Sequence, residues 1–260
     1  PEFSPLAKTE LNEIEHKVSN SHSIDHLLNI LKNAEKQLID THKSIDSVPY
    51  NGLNETYMER IYINSEGARR HMKLTQSSIY LYAKAEENNK KPRSAGGVRI
   101  NSDLNDLDIN SCIKETSAKL VSHLNYKPIE TNKYLVCFSP EAFLQLISAF
   151  SSIFNARSII DGLSLMNENS VGNQISVPTL NISDEGLHPK NVGAFSFDGE
   201  GTPTQNINLI NNGKLINLLH SEATARKFGV KPTGHAGLGA KVSVSPDWLV
   251  VSKSINEIDK

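Results

Sequence analysis

The chain has 260 residues, of which 38% are hydrophobic and 22% charged, so it can bury a core without a disulfide or a structural metal. Its formal net charge of −2 argues against the strongly basic surface that nucleic-acid phosphates require. Cys112 and Cys137 form no CxxC pair and indicate reduced thiols. No segment is long and apolar enough to span a membrane. These properties predict a cytoplasmic protein with neither nucleic acid nor membrane as a partner.

The beginning of the chain predicts an arm followed by a helix. Pro1-Glu2-Phe3 resembles the remnant of a cleaved fusion tag, and we exclude it from the fold. Residues 4–21 are polar and weakly patterned. From Ser23, a plausible N-cap, apolar residues recur at helical spacing. They are Ile24, Leu27, Leu28, Leu31, Ala34 and Leu38.

The next segment predicts a loop, a hairpin and a second helix. Residues 40–54 contain Pro49 and Gly52 and are expected to form a loop. Residues 59–64 and 70–83 predict two strands joined by the turn 64–67, with a bulge near residues 76–78 where the apolar alternation changes phase. A charged loop at 86–91 precedes a helix over 108–124.

A change in composition at residues 126–128 predicts a boundary between two regions, 4–126 and 127–260. Residues 134–138 then predict a strand buried on both faces. Ser139 and Pro140 begin a helix whose apolar stripe we expect to face the core. The stripe consists of Phe143, Leu146, Ile147, Phe150 and Phe154.

Later residues predict a hairpin and a short helix. Asn211-Asn212-Gly213 separates two strand-like runs, and Asn-Gly is a strong hairpin signal. Ser221 and Gly229 are expected to cap the short helix between them. Helices and antiparallel hairpins without regular βαβ alternation predict an α+β fold in two regions.

A search for a metal site finds only one pair of histidines at ligand spacing. His22 and His26 lie four residues apart, but a zinc site needs a third ligand from elsewhere. No HExxH or HExxxH sequence occurs. We therefore expect no metal ligands, no catalytic residues and less than one tightly bound zinc per chain.

The segment 197–205 carries two carboxylates, Asp198 and Glu200. In an extended strand they would share one face and could act as acid and base or hold a cation. Flanking glycines favour the alternative, in which the carboxylates cap turns. Arg226 could clamp a carboxylate, either of a peptide or of Asp198 or Glu200, and an internal ion pair is the competing interpretation.

These segments resemble the TldD/PmbA family. The matching pieces are the FDGEGTPTQ run at 197–205, the hairpin at 209–215, and the SEATARKFGVKPTGHAG run at 221–237, with the strand-to-helix start at 134–143 upstream. Residues 23–125 resemble the family's middle region, including its INSEG turn at 63–67. Thr204 and His235 lie in these motifs and complete a candidate binding set with Asp198, Glu200 and Arg226.

The resemblance implies a subunit of a cytosolic metallopeptidase. In this family a TldD-type subunit, whose HExxxH helix binds the metal, and a TldE (PmbA)-type subunit form a heterodimer that degrades or processes unfolded peptides. Ser148, Ala149 and Ile153 stand where the metal subunit has His, Glu and His. The chain therefore resembles the TldE type, inactive alone and without a cofactor of its own, with zinc expected in its TldD-type partner. Family members are longer on both sides, so we expect an internal fragment.

Two alternatives stay open. Asp198 and Glu200 could make the chain a stand-alone hydrolase, so its status as an enzyme is uncertain. The family was first named as a modulator of DNA gyrase. The second alternative is therefore an interaction module that contacts gyrase or nucleic acid.

Overall fold

The computed structural model describes residues 10–11 and 17–253. The suggested tag remnant at residues 1–3 lies outside these residues. The chain divides into two compact units. The first contains the described residues of His16–Glu59 and Lys73–Tyr134, and the second contains Arg60–Met72 and the described chain from Leu135 onward. Helices and antiparallel sheets occur together, which confirms the predicted α+β class. None of the described helices is long and apolar enough to cross a membrane.

The first unit is a three-stranded sheet with two helices. Its helices are α1 (Ile24–Asp40) and α2 (Ile109–His123). Its strands, β1 (Ile45–Ile63), β2 (Arg69–Ala85) and β3 (Arg93–Asn101), lie in the order β1-β2-β3, and residues 60–63 of β1 and 69–72 of β2 are counted with the second unit. The Ser23 hydroxyl accepts the N–H of His26, and the Asp108 carboxylate accepts that of Ser111. These caps fix the helix starts where the sequence predicts the two helices.

The sheet of the first unit is covered on one face. Ile79, Leu81 and Ala83 of β2 are buried in a core shared with Leu38 of α1 and Leu120 of α2. The alternate residues, Tyr80 and Tyr82, are exposed. Such alternation is typical of an antiparallel sheet with one open face. The change of phase falls between Leu74 and Thr75, just before the predicted position, and the β2–β3 ladder then runs without a shift from Ser77 to Ala85.

The second unit contains a larger sheet and three short helices. Strands β4 (Leu180–Glu185), β5 (Asn206–Asn211), β6 (Lys214–Leu215) and β9 (Leu249–Lys253) form an antiparallel sheet in the order β6-β5-β4-β9. Strands β7 (Ala236–Gly237) and β8 (Ser243–Val244) form a separate pair. The helices are α3 (Pro140–Ala149), α4 (Ala156–Ile160) and α5 (Glu222–Phe228). Phe154, Ile182, Leu209, Leu215 and Leu219 are central to its core.

Two local predictions in the second unit are confirmed by their turn and cap geometry. The β5–β6 hairpin turns at Asn212 and Gly213, both with positive φ, as a type I′ turn requires. Helix α5 begins after Ser221, whose side chain accepts the N–H of Thr224, and ends at the left-handed Gly229.

The predicted loop at 40–54 is wrong, because Ile45–Ile63 is one long strand. Pro49 is tolerated there since β1 lies at the edge of its sheet, where a missing amide hydrogen breaks no ladder between central strands. At Gly52 the end of the exposed Tyr80 ring occupies the space that a β-carbon would take. Strand β3 was missed altogether.

The predicted buried strand at 134–138 and most of the predicted core stripe are also wrong. Residues 134–138 form no strand, and the side chains of Tyr134, Leu135, Val136 and Phe138 are exposed. Helix α3 contains no buried residue. Of the stripe, only Phe154 is fully buried, in the short 3₁₀ turn after the helix, and Ile147 packs against the core. Apolar periodicity marks the right helix, but the described chain covers its apolar face only in part, at Phe143 and Ile147.

Candidate functional site

The FDGEGTPTQ segment is a tight turn, not the extended strand considered from the sequence. The amide of Asp198 donates to the carbonyl of Thr202 at 2.9 Å, and Phe197 forms a β-bridge with Pro203. Gly201 has a φ of 81°, a conformation that favours glycine. Asp198 and Glu200 therefore do not alternate along a flat strand.

Asp198 holds this turn to the strand that begins at Ala236. Its Oδ1 accepts the amides of Glu200 and Thr202, each at 2.9 Å, and its Oδ2 accepts the amide of Ala236 at 2.9 Å. Burial raises the pKa of Asp198, although these three hydrogen bonds oppose that change. A carboxylate with three main-chain donors is built to fix a loop in place.

Glu200 and Arg226 both bind Glu222, Glu200 at its main-chain amide and Arg226 at its carboxylate. Glu200 Oε2 accepts the amide of Glu222 at 2.8 Å, at the start of α5. Arg226 Nε donates to Glu222 Oε1 at 2.9 Å, one helical turn away. This is the internal ion pair considered from the sequence, with Glu222 as the partner. Burial and the charges of Asp198 and Glu222 raise the pKa of Glu200.

His235 forms a buried pair with Asp184. Its Nε2 lies 3.0 Å from Asp184 Oδ2, and both side chains are completely buried. Asp184 also accepts the amides of Asp247 at 2.8 Å and Trp248 at 2.6 Å. His235 Nδ1 lies 3.0 Å from the hydroxyl of Thr233. This pair connects β4 to the segments before β7 and β9.

Sequence reasoning missed Asp184 and Asp247. Asp184 shares the inward parity of Leu180 and Ile182 on β4, and a carboxylate at an inward position is the signal that could have found it. Asp247 keeps contact with solvent, and its carboxyl group lies beside Gly186. Partial burial, with the charges of Asp184 and Asp198, raises the pKa of Asp247 to about 6 against the opposing influence of His235 and Arg60.

Thr204 lies inside the same region, nearly inaccessible to solvent. Its amide donates to the carbonyl of Ser196 at 3.1 Å, and its methyl group faces Gly186. Gly234 crosses over Pro203 with a φ of 79°, and a β-carbon there would collide with the Pro203 carbonyl. The structure thus brings Asp198, Thr204 and His235 into one buried network, with Glu200 and Arg226 at its α5 side.

His220 is a second buried histidine that the sequence did not single out. It is 5% exposed, and burial lowers its pKa to about 4. Its Nδ1 lies 3.3 Å from the hydroxyl of Thr224, and its ring meets the edge of Phe228. The imidazole is therefore neutral at pH 7.

The low pKa of His220 predicts a pH-dependent stability. The unfolded state binds the proton more readily, so the stability that the neutral ring contributes is complete above pH 6.5 and decreases as pH falls towards 4. Between pH 7 and pH 5 this loss is about 2 kcal/mol. We expect His220→Asn to remove that part of the pH dependence, measured as the difference between the urea-unfolding free energies of the two proteins. Parallel curves for the two proteins over this range would contradict the assignment.

Two family models match the chain. The PmbA/TldA metallopeptidase central domain matches residues 17–124, and the PmbA/TldA metallopeptidase C-terminal domain matches residues 131–260. Together these matches cover most of the chain, which belongs to the PmbA/TldD metallopeptidase family.

Named relatives agree with this assignment. Metalloprotease slr0863 of Synechocystis is 26% identical over 90% of this chain and 51% of its own length. Metalloprotease PmbA of Escherichia coli O157:H7 is 26% identical over 83% of this chain and 48% of its own length. The chain spans about half the length of these curated relatives.

Solved structures share the fold. A Thermotoga maritima protein described as a candidate modulator of a DNA gyrase has a TM-score of 0.86 and 26% identity, over 95% of this chain and 56% of its own. TldE of Thermococcus kodakarensis has a TM-score of 0.70 at 17% identity, over 94% of this chain and 57% of its own, and its likeness shows the fold alone.

The metal that the family name implies does not fit the described side chains. No group of three or more His, Cys, Asp or Glu residues within 10–11 and 17–253 is arranged to hold a metal ion. Ser148 donates its hydroxyl to the carbonyl of Leu144, helix α3 ends at Ala149, and Ile153 lies in the following 3₁₀ turn. A hydroxyl and two alkyl side chains do not form the N, S or carboxylate ligand set of zinc.

Proposed function

We propose that the chain is the non-catalytic subunit of a cytoplasmic, TldD/TldE-type heterodimeric metallopeptidase that processes or degrades unfolded peptides. In this proposal the TldD-type partner holds the zinc and performs the hydrolysis. This chain completes the peptide-binding surface and has no cofactor of its own.

The observation that supports the proposal is membership of a metallopeptidase family in a chain whose sequence contains no HExxxH. Ser148, Ala149 and Ile153 cannot supply the nitrogen and carboxylate donors of an HExxxH helix. In this proposal the TldD-type partner lowers the pKa of the zinc-bound water.

The buried network supports a positioning role for the candidate binding residues. Asp198 fixes its turn through three main-chain amides, and His235 pairs with the buried Asp184. Thr204 is buried and packs against Gly186 and Gly234, while Glu200 and Arg226 hold the start of α5 through Glu222. Groups already engaged in this way orient loops, and a peptide would contact the loops they orient.

Reconstitution tests this function. The full-length protein mixed with a TldD-type partner is expected to cleave an unfolded peptide such as reduced, alkylated casein faster than the partner alone. The chain alone, and the mixture containing a partner whose HExxxH histidines are replaced by alanine, are expected to be inactive. A mixture no faster than the partner alone would contradict the proposal.

One observation favours a second candidate, a stand-alone hydrolase. The pKa values of both Asp198 and Glu200 are raised, and a raised carboxyl pKa is typical of general acids. Turnover of a peptide or glycan panel by the isolated protein, lost in Asp198→Asn with unchanged fold, would support this candidate. No turnover on either panel would exclude it.

The description of the Thermotoga maritima protein keeps a gyrase-related interaction module as a further alternative. We expect no direct DNA binding, because the formal net charge of −2 offers little phosphate neutralisation. Salt-sensitive retardation of DNA in a gel-shift assay at physiological ionic strength would overturn that expectation.

A further inference from the structure

A cleft of about 500 Å³ opens in the second unit and adjoins the buried Asp184–His235 pair through Thr233, whose hydroxyl lies 3.0 Å from His235 Nδ1. Its volume lies within the range of about 300–1,000 Å³ that ligand pockets occupy. Apolar side chains form much of its wall, among them Ile207 of β5, Leu218, Phe228 of α5 and Val230. The cleft is therefore large enough for a bulky apolar group.

His220 lines this cleft with one ring nitrogen engaged. The hydroxyl of Thr224 donates to the carbonyl of Ser221 at 3.2 Å, and we therefore assign the proton of His220 to Nδ1, 3.3 Å from Thr224 Oγ1, and the lone pair to Nε2. Among the described contacts, Nε2 has no hydrogen-bond partner. A buried imidazole thus presents an acceptor to the cleft.

Two amide side chains add acceptors. Gln205 Nε2 donates to the carbonyl of Pro232 at 3.2 Å, and Asn217 Nδ2 donates to the carbonyl of Asn208 at 2.8 Å. Both residues line the cleft, and their amide nitrogens are engaged, so their side-chain oxygens remain as acceptors. Glu168 and Lys231 contribute charges of opposite sign, which gives no preference for a strongly ionic ligand.

We propose that this cleft binds an extended peptide segment through one bulky apolar side chain, with the peptide's N–H groups donating to His220 Nε2 and the two amide oxygens. A set of acceptors around an apolar pocket is complementary to a ligand that carries N–H donors beside an apolar group. A peptide main chain with an aromatic or large aliphatic residue has both. The proposal rests on the proposed peptide-processing function and names the residue class that this chain would recognise.

Direct binding tests the peptide preference. The probes are three N-acetylated, C-amidated tripeptides with Phe, Ala or Lys between two alanines, added to ¹⁵N-labelled protein. We expect the Phe peptide to bind at least about tenfold more tightly than the Ala peptide, because burying one aromatic side chain contributes a difference of that size. The ¹⁵N signal of His220 Nε2 is expected to move as it accepts a hydrogen bond. Equal affinity for the Phe and Lys peptides, or perturbations confined to residues outside the cleft, would overturn the proposal.

A matched pair of variants tests the location. Val230 at the cleft is 52% exposed and Val177, away from it, is 64% exposed, so Asp is accommodated at either position without disturbing the core. Val230→Asp is expected to weaken binding of the Phe peptide at least about tenfold, and Val177→Asp to leave it unchanged. Equal effects of the two variants, with unchanged unfolding midpoints, would contradict the assignment.

The same variants separate the two proposals. If the reconstituted peptidase is active and Val230→Asp changes neither peptide binding nor cleavage of Phe-containing peptides, the cleft assignment fails and the proposed function stands. If the Phe peptide binds in the cleft but reconstitution gives no cleavage, the proposed function fails and the binding site stands.

Discussion

Phe154→Ala is expected to lower the free energy of unfolding by about 3–5 kcal/mol, the range for truncating a buried phenylalanine. Phe154 is 0% exposed, and its carbonyl accepts the amide of Leu219 at 2.7 Å. The ring lies in the core that also contains Ile182 and Leu209. Removing it leaves a cavity at the point where the 3₁₀ turn meets the sheet. Urea unfolding followed by circular dichroism measures the loss.

Phe150→Ala is the matched control, four residues away in the same apolar stripe. Phe150 is 43% exposed, so its truncation is expected to cost less than about 1 kcal/mol. The comparison decides between the structure and the helix-stripe prediction, in which both rings face the core. Equal losses of several kcal/mol would mean that the face of α3 is covered after all.

Asp184→Asn is expected to destabilise the protein by about 1–3 kcal/mol, because it removes a buried carboxylate that accepts two main-chain amides and leaves buried donors without a matched acceptor. The Asp184 carboxylate accepts the main-chain amides of Asp247 and Trp248. In the asparagine variant the side-chain NH₂ group would face one of these N–H donors or the imidazole of His235. Trp248 donates one of those amides and stacks on His188 with 5.7 Å between ring centroids. Its fluorescence is therefore a direct probe of unfolding at this site.

Asp161→Asn provides the surface comparison for the same substitution. Asp161 pairs with Arg157 one helical turn away, and both side chains reach solvent. Exposed pairs of this kind contribute about 0–1 kcal/mol, so the variant is expected to unfold nearly as the unmodified chain does. If Asp184→Asn lost no more stability than Asp161→Asn, the buried pair would not support the fold in the way described.

Local signals in the sequence predicted the local structure well. Ser23, Ser139 and Ser221 cap helices by accepting amides three residues ahead, and the Asn212–Gly213 turn depends on the conformations of two adjacent residues. Pro49 and Gly52 misled the prediction because their usual meaning depends on position within a sheet. An edge strand accommodates Pro49, and the Tyr80 ring occupies the space over Gly52.

Burial was harder to predict than secondary structure. Residues 134–138 and one face of α3 are apolar in sequence. An apolar pattern indicates only that burial of these side chains would be favourable. Whether another segment packs over them depends on residues far away in the chain. Phe154 and Phe150 have the same identity and nearly the same local context, and only the fold distinguishes them.

The candidate site was likewise predictable from the sequence only in its local features. The i, i+4 pair of Glu222 and Arg226 follows from helical spacing, and the turn-capping alternative for Asp198 follows from the flanking glycines. Asp184 and His235 are 51 residues apart in the sequence, and no motif connects them. Only the crossing of β4 with the later segments brings them together.

The division into two units has a spectroscopic consequence. The only tryptophan, Trp248, belongs to the second unit, whereas six of the seven tyrosines belong to the first: Tyr50, Tyr57, Tyr80, Tyr82, Tyr126 and Tyr134. Light at 295 nm excites tryptophan selectively, while tyrosine absorbance at shorter wavelength is dominated by the other unit. The protein therefore carries a separate optical signal for each half, and the cooperativity between the halves can be measured without any label.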